Sequence, residues 1–240
     1  MGKPNVFLTA EWRKLALANY AVDKEILLKY LPPFTELDDW KGKHYLSLVG
    51  FMFLNTKLLG IKVPFHGNFE EVNLRFYVKY NENGIWKRGA VFIKEIVPKP
   101  AITLVANTIY KEKYQTCRMK HNWAPNEDQH AVSYSWKTSV WNTFSVVSEA
   151  KSQAITTNSD GEFITEHYWG YTKIAENKTS EYGVQHPRWE VYAIKSYNIE
   201  VDFEQNYGKD FSFLNQSAPE SVMLAEGSSI RVMKGRKIKS

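Results

Sequence analysis

NFEEVNLRFYVKYNENGIWKRGAVFIKEIV, residues 68–97, contains the strongest secondary-structure signal in the chain. The dipeptide Asn83-Gly84 separates two runs that are rich in β-branched and aromatic residues. Asn-Gly is the preferred two-residue turn of an antiparallel hairpin, because both positions tolerate positive φ angles. The stretch therefore predicts two long antiparallel strands and a protein built mostly from antiparallel β-structure.

The first of these strands alternates between two kinds of face. Successive residues of a strand point to opposite sides of the sheet. The apolar face contains Val72, Leu74, Phe76 and Val78. The polar face contains Glu71, Asn73, Arg75 and Tyr77. Glu70 falls on the apolar face at the start of the strand and is expected at its rim. The polar face is either the wet side of a hairpin or the floor of a chemical site.

The remaining sequence predicts further strands and a few helices. Asp23 is a typical N-cap for a short helix over KEILLKYL, which Pro32-Pro33 ends. Residues 43–56 are apolar on both alternating faces, which indicates a central strand. Residues 160–174 are dense in β-forming residues and predict another strand. His186-Pro187 divides residues 179–203 into two more strands.

Two segments fit more than one type of structure. Residues 7–19, FLTAEWRKLALAN, match both the helical and the strand templates. Residues 101–110, AITLVANTIY, also fit either a buried strand or a helix. Neither choice alters the overall expectation, which is an α+β protein with a mostly antiparallel sheet and two or three helices.

Composition indicates one folded domain over residues 1–240. Of 240 residues, 43% are hydrophobic and 15% aromatic, whereas a disordered chain is poor in residues of these kinds. No internal repeat, linker or membrane-spanning apolar stretch interrupts the sequence. Cys117 is the only cysteine, so an internal disulfide is excluded. We expect a soluble, cytoplasmic protein without a membrane partner, and the exposed edge of an open sheet makes a homodimer possible.

The net charge of +5 does not indicate a nucleic-acid partner. The chain has 31 basic and 26 acidic residues, and five of the basic residues lie within the last ten positions. The rest of the chain is therefore formally neutral. A short basic terminus of this kind fits an edge strand that is protected by lysines against further pairing.

Common catalytic motifs are missing from the sequence. It has no glycine-rich phosphate loop, no G-x-S-x-G element and no pair of histidines at helical metal-site spacing. We therefore expect neither a cofactor nor a metal. His167 lies in TEHYWGY, whereas His186 and Arg188 lie in VQHPRWEVY. These histidines are either buried structural residues or pocket residues, and Arg188 either binds a carboxylate or stacks on an aromatic ring.

Several segments together resemble the YqjF-like family of uncharacterised bacterial proteins. They are residues 7–23, 31–51, 63–78, 89–107, 163–172 and 181–192. The sequence is also similar, more remotely, to acetoacetate decarboxylase. That resemblance implies a strongly curved, largely antiparallel sheet that forms a cone around an internal pocket, with the polar face of residues 68–78 on its inner wall.

The resemblance also implies catalytic residues. The decarboxylase uses a Schiff-base lysine in a YPKK-type motif, with a glutamate and an arginine nearby. Carried over by position, these residues correspond to Lys113, Glu71 and Arg13. The local motif departs from the pattern, because KEKY at residues 111–114 places Glu112 and Tyr114 where a proline and a second lysine are expected. A neighbouring acid would raise the pKa of Lys113 instead of lowering it.

These observations predict a small-molecule pocket and leave three functions open. The first is a lyase-type enzyme acting on an organic keto acid. The second is a non-catalytic protein that binds the same kind of ligand, for instance a carboxylic acid. In both, the predicted binding residues are Arg75, Tyr77, His167, His186 and Arg188. The third is a structural protein, which requires Glu71, Arg75 and Arg13 to face solvent and lie apart.

Overall fold

The computed structural model describes residues 5–239, apart from the side chains of residues 109 and 110. Its strands are β1 (Val6–Val22), β2 (Glu36–Leu37), β3 (His44–Leu58), β4 (Ile61–Lys62), β5 (Phe69–Glu82), β6 (Ile85–Val97), β7 (Tyr114–Thr116), β8 (Arg118–Pro125), β9 (Gln129–Lys137), β10 (Trp141–Ala154), β11 (Trp169–Ala175), β12 (Lys178–Gln185), β13 (Glu190–Glu200), β14 (Ser221–Met233) and β15 (Arg236–Lys239). Its helices are α1 (Lys24–Leu28), α2 (Pro100–Val105), α3 (Asp160–Thr165) and α4 (Phe203–Tyr207), with a π-helical turn (Ala106–Tyr110) and a 3-10 helix (Lys209–Gln216).

The predicted hairpin is confirmed. Strands β5 and β6 pair in antiparallel register up to Glu82 and Ile85, with two residues between them. Asn83 and Gly84 both have positive φ, at 53° and 87°. This is the conformation of a two-residue turn that matches the twist of the flanking strands.

Seven strands close into a ring. Hydrogen-bonded neighbours follow the order β12, β11, β6, β5, β3, β1 and β14, and β14 pairs again with β12 through Val184 and Val232. All pairs in this ring are antiparallel except β6 with β11. Strands β13, β10, β9 and β8 continue outward from β14. The curved, largely antiparallel sheet predicted from the resemblance is therefore confirmed.

The two faces of β5 pack into different apolar clusters. Val72, Leu74 and Phe76 join an outer cluster with Tyr134 and Trp136 of β9. The opposite face of β5 points into the ring, where Tyr77 belongs to an inner cluster that includes Leu17, Phe51, Phe163 and Trp189. The apolar face of β5 thus supports the outer layer, and its polar face lies inside the ring.

Helix α3 corrects the strand prediction for residues 160–174. The first six of these residues are helical, and the strand begins only at Trp169. Ser159 caps the helix by accepting a hydrogen bond from the Glu162 backbone N–H. The spacing of Ser159 and Glu162 is that of a capping box, a signal that was present in the sequence and outweighs β-propensity here.

Both ambiguous segments adopt a single structure. Residues 7–19 belong to β1, and residues 101–110 form α2 and the π-helical turn. Asp23 caps α1 by accepting a hydrogen bond from the Glu25 N–H, as predicted. The basic strand β15 ends the sheet order and pairs only with β12. Within residues 5–239, no helix has the length and apolar character to span a bilayer.

Candidate functional site

A cavity of about 270 Å³ lies inside the ring of strands. Glu71, Asn73 and Arg75 of β5 line it, because they share the inward face of that strand. Tyr77 follows on the same face but does not line the cavity. It is buried beyond Arg75, where its hydroxyl donates to Ser47 Oγ at 2.9 Å.

A second glutamate enters the cavity through a bulge in β6. Leu74 pairs with Lys94, whereas the next residue, Arg75, pairs with Phe92. The extra residue in β6 changes the phase of its alternation. Phe92 and Glu95 consequently both line the cavity, although they are three positions apart.

A third glutamate comes from the segment that connects α2 to β7. Lys111 ends the π-helical turn in the left-handed conformation, and β7 then pairs in parallel with β6. Glu112 and Tyr114 line the cavity from this segment. The intervening Lys113 is exposed, with its Nζ 5.5 Å from the centroid of the Tyr30 ring.

The three carboxyl groups have few hydrogen-bond partners. Glu71 accepts from Asn73 Nδ2 at 3.0 Å and from the Tyr114 hydroxyl at 3.2 Å. Glu112 accepts from Thr172 Oγ1 at 2.6 Å and also from Tyr182. Among the described residues, Glu95 Oε2 has no hydrogen-bond partner. Buried polar atoms without partners are uncommon and need an explanation, such as a ligand or water at the site.

Burial keeps these carboxyl groups protonated at higher pH than usual. Loss of solvation raises the pKa of Glu71 and that of Glu112, each to about 7, and the Arg75 charge partly opposes this for Glu71. The pKa of Glu95 is also raised well above its usual range, first by burial and then by the charges of Glu112 and Glu71. The cluster therefore contains both protonated and ionised carboxyl groups near neutral pH.

Arg75 brings the positive charge of the cavity. Its Nε lies 3.4 Å from the Tyr77 hydroxyl oxygen, and its guanidinium carbon lies 5.6 Å from the centroid of that ring. In the described part of the chain, no carboxylate oxygen lies within 4.0 Å of an Arg75 nitrogen, the distance limit for an ion pair. Its guanidinium group is thus available to a negatively charged ligand.

His167 is held in one orientation by Asp38. Asp38 Oδ2 accepts from His167 Nε2 at 3.1 Å and from Arg88 Nε at 2.6 Å. Burial lowers the pKa of His167 to about 4, so its ring is neutral. Burial by itself raises the pKa of Asp38, but the hydrogen bonds from His167 and Arg88 hold it at about 2. His167 lines the cavity, and its Nδ1 is buried without a hydrogen-bond partner within residues 5–239.

His186 forms part of the aromatic wall. Its ring stacks on Trp189 with centroids 4.3 Å apart and lies 4.7 Å from the Tyr168 ring. Burial lowers its pKa, so it too is neutral at pH 7. It lines the cavity as predicted and contributes mainly apolar surface there.

Besides Tyr77, three other residues predicted at the site lie outside the cavity. Arg13 is paired with Glu11 at 2.6 Å, and a register shift in β1 turns it away from the cavity. Arg188 is paired with Glu162 at 2.6 Å and binds the Ile155 carbonyl. Lys113 points outward because alternation places its neighbours inward. The structure thus gives no support to Lys113, Arg13 or Arg188 as pocket residues.

Sequence analysis missed several residues of the site. Glu95, Tyr182 and Asp38 were not predicted, and Glu112 was considered only as a neighbour of Lys113. The bulge in β6 that turns Glu95 inward has no clear sequence signal. Among the described residues, no group of three or more His, Cys, Asp or Glu side chains is placed to hold a metal ion.

Comparison with known proteins agrees with the resemblance seen in the sequence. The model of the DUF2071 family, described as an uncharacterized conserved protein, matches residues 9–229. The chain belongs to this family. The uncharacterized protein YqjF of Bacillus subtilis (strain 168) is 27% identical over 183 residues, which cover 74% of this chain and 72% of YqjF. The predicted membership of a YqjF-like family is confirmed.

Solved structures of similar fold include acetoacetate decarboxylase. The enzyme from Legionella pneumophila matches with a TM-score of 0.62 and 14% identity, covering 99% of this chain and 88% of that one. An acetoacetate decarboxylase-like enzyme from Sphingomonas wittichii RW1 gives 0.65 and 9%, with coverage of 98% and 94%. The enduracididine biosynthesis enzyme MppR gives 0.69 and 11%, with coverage of 99% and 89%. At these identities the likeness shows the fold alone.

Proposed function

We propose that this protein is a lyase-type enzyme that acts on a small keto acid by general acid–base catalysis. One observation carries the proposal. Three buried glutamates from β5, β6 and the segment before β7 line a single cavity together with Arg75, which has no acidic partner among the described residues. Such a group of carboxyls is costly to bury and is rarely found without a ligand or a chemical role.

Arg75 is the residue that would bind the carboxylate of the acid. An arginine binds a carboxylate through two parallel hydrogen bonds, which fixes orientation as well as position. The neutral rings of His167 and His186 add no competing charge at the cavity wall. Glu71 and Glu112 line the same cavity, into which the remaining carbon atoms of such a ligand would extend.

The glutamates can interconvert a ketone and its enol. An ionised carboxylate removes a proton from the carbon next to the carbonyl, and the electron pair of that C–H bond moves to the carbonyl oxygen. A neutral carboxyl group, or the hydroxyl of Tyr114 or Tyr182, gives a proton to that oxygen. Both roles require carboxyl groups that differ in protonation at the same pH, as this cluster provides.

The retained carboxylate favours enol chemistry over decarboxylation. Arg75 stabilises a negative charge that disappears when carbon dioxide leaves, so it would slow the loss of the carboxylate it binds. Elimination avoids this loss: the enol or enolate forms the carbonyl again, a C=C bond forms between the next two carbons, and the group on the second of them leaves with the electron pair of its bond and takes a proton from a neutral carboxyl, while the bound carboxylate keeps its charge. MppR, whose fold is similar, has been solved with pyruvate and with a condensation product of pyruvate.

Pyruvate in deuterium oxide gives a direct test that does not involve Lys113. We expect the protein to accelerate exchange of the methyl protons, followed by proton NMR, by about 10²–10⁴ over buffer. The variant Lys113→Ala should retain this rate, because Lys113 lies outside the cavity. Borohydride should trap no adduct in either protein. A covalent adduct that disappears in Lys113→Ala would restore the imine mechanism and contradict this proposal.

A non-catalytic binding role is the alternative that one observation favours. None of the described residues that line the cavity is a lysine or a cysteine, so the site contains no strong nucleophile. A binding protein would use Arg75 and the same aromatic wall. Thermal stabilisation by pyruvate that is lost in Arg75→Leu, without any proton exchange, would identify this role.

A further inference from the structure

We propose that the acid preferred by the cavity carries an apolar tail, so that an amphipathic monocarboxylic acid binds more tightly than a short acid such as pyruvate, which has the same carboxylate and ketone without the tail. This inference rests on the proposed function, since it uses Arg75 as the carboxylate site. It specifies the chemical class of acid that the cavity selects. Polar and apolar groups are separated along the axis of the ring.

Strand register fixes the direction of this separation. On facing positions of β5 and β3, Phe69 pairs with Phe53, then Glu71 with Phe51, and Arg75 with Ser47. Phe69 and Arg75 are six positions apart, which corresponds to about 20 Å along β5. The carboxylate site therefore lies at one end of the cavity, the glutamates lie between, and the aromatic pair lies towards the other end.

The apolar end is also the end that opens to solvent. Val63 and Val105 line the cavity and are 40% and 37% exposed. Exposed apolar side chains also lie outside the cavity on the segment that follows β3, namely Leu59, Ile61 and Phe65, which are 68%, 69% and 91% exposed. Apolar patches of this kind are unusual on a protein surface and mark binding regions.

A short acid would leave this apolar half without a partner. The half is lined by Phe7, Leu8, Trp12, Phe53, Leu58 and Phe69. Among the described residues of this half, Thr56, His66 and the indole N–H of Trp12 offer polar groups, so most of the water there would lie against apolar surface. An aliphatic or aryl tail on the carboxylic acid would displace this water and bury apolar surface of both the ligand and the cavity.

The expected result is an affinity that rises with chain length. Calorimetric titration of acetate, butyrate and hexanoate should show binding that tightens by about threefold to fourfold per methylene group. Adipate, which has the length of hexanoate but a second carboxylate at the far end, should bind at least tenfold more weakly than hexanoate. A flat series, or adipate equal to hexanoate, would overturn the inference.

Two neighbouring substitutions provide a matched pair. Val105→Asp places a charge at the opening and should weaken hexanoate at least tenfold while changing acetate little. Leu104→Asp introduces the same charge one residue away, on a side chain that does not line the cavity, and should leave both affinities unchanged. Both sites are exposed, and equal melting temperatures would show that both variants fold. If Val105→Asp leaves hexanoate binding unchanged, the tail does not lie where we place it.

The same titrations separate this inference from the proposed function. If acetate and hexanoate bind equally well and both require Arg75, the acid site stands and the apolar tail is wrong. If neither acid binds in a manner that depends on Arg75, the proposed function itself fails. Tail-dependent binding that persists in Arg75→Leu would likewise refute the carboxylate anchor on which the inference rests.

Discussion

Glu71→Gln is expected to lower the rate of pyruvate proton exchange by about 10²–10⁴, because the amide can neither remove nor return a proton. The change keeps nearly the same shape and preserves an oxygen that can accept from Asn73 or Tyr114. Proton NMR in deuterium oxide measures the rate. Full activity in this variant would remove Glu71 from the mechanism.

The same substitution should stabilise the fold at high pH. The pKa of Glu71 is about 7 in the folded protein, above its value of 4.5 in an unfolded chain. Below pH 4.5 the carboxyl is protonated in both the folded and the unfolded state, so it lowers the stability of the fold little. Between pH 4.5 and about 7 the carboxyl ionises in the unfolded chain but stays protonated in the folded one, so stability falls over this range and the full loss is reached above pH 7. Glu71→Gln removes this loss.

Chemical denaturation at two pH values tests the stability difference. At pH 8, Glu71→Gln should exceed the wild type in free energy of unfolding by roughly 1–3 kcal/mol, and at pH 4 the two should be equal. Glu70→Gln is the matched control. Glu70 lies on the opposite face of β5 and pairs with His121 at 2.7 Å, so its replacement should alter neither proton exchange nor this pH dependence. A wild type that is more stable than Glu71→Gln at pH 8 would show that the carboxylate is favourably bound.

The fold could be predicted because local signals and burial agree in the central strands. Asn83-Gly84 fixes the turn of the β5–β6 hairpin, and the turn fixes the register. Alternation along β5 then assigns Val72 and Phe76 to the outer cluster and Glu71 to the interior. Residues 7–19 were ambiguous because β1 is covered on both faces, which removes the alternation that distinguishes a strand.

Within the strands, the residues that line the cavity were predictable where alternation is regular. Glu71 and Arg75 follow the simple period of β5 and were found. Glu95 lines the cavity because a bulge in β6 reverses which of its residues face inward. No local residue in the sequence indicates that bulge. Counting residues from a remote relative selected Lys113, whereas the path of the chain after the π-helical turn directs Glu112 inward. The position that was counted is thus off by one residue, and the side chain that lines the cavity is the acid Glu112 instead of the amine of Lys113.

Arg13 and Arg188 show a second limit of sequence reasoning. An arginine beside aromatic residues fits both a ligand site and a surface ion pair. The decision depends on whether a carboxylate from elsewhere in the chain is close. Glu11 binds Arg13 and Glu162 binds Arg188, so both charges are already compensated. Arg75 lacks such a partner in the described part of the chain, which a sequence cannot reveal.

Arg75→Leu should weaken the binding of hexanoate by about 30-fold or more, because loss of one member of a buried charge pair costs at least 2 kcal/mol. Leucine retains much of the apolar volume but offers no donor to the carboxylate. The variant should remain folded, since a half-buried cation without an acidic partner contributes little to stability. Calorimetric titration measures the affinity, and the melting temperature checks the fold.

Arg188→Leu is the matched control for this prediction. It makes the same chemical change at an arginine whose charge is already paired with Glu162 outside the cavity. Hexanoate binding should be unchanged in this variant. Equal losses in the two variants would mean that overall positive charge, and not a local contact, attracts the acid. A loss confined to Arg75→Leu would locate the carboxylate at the inner end of the ring, beside the three glutamates.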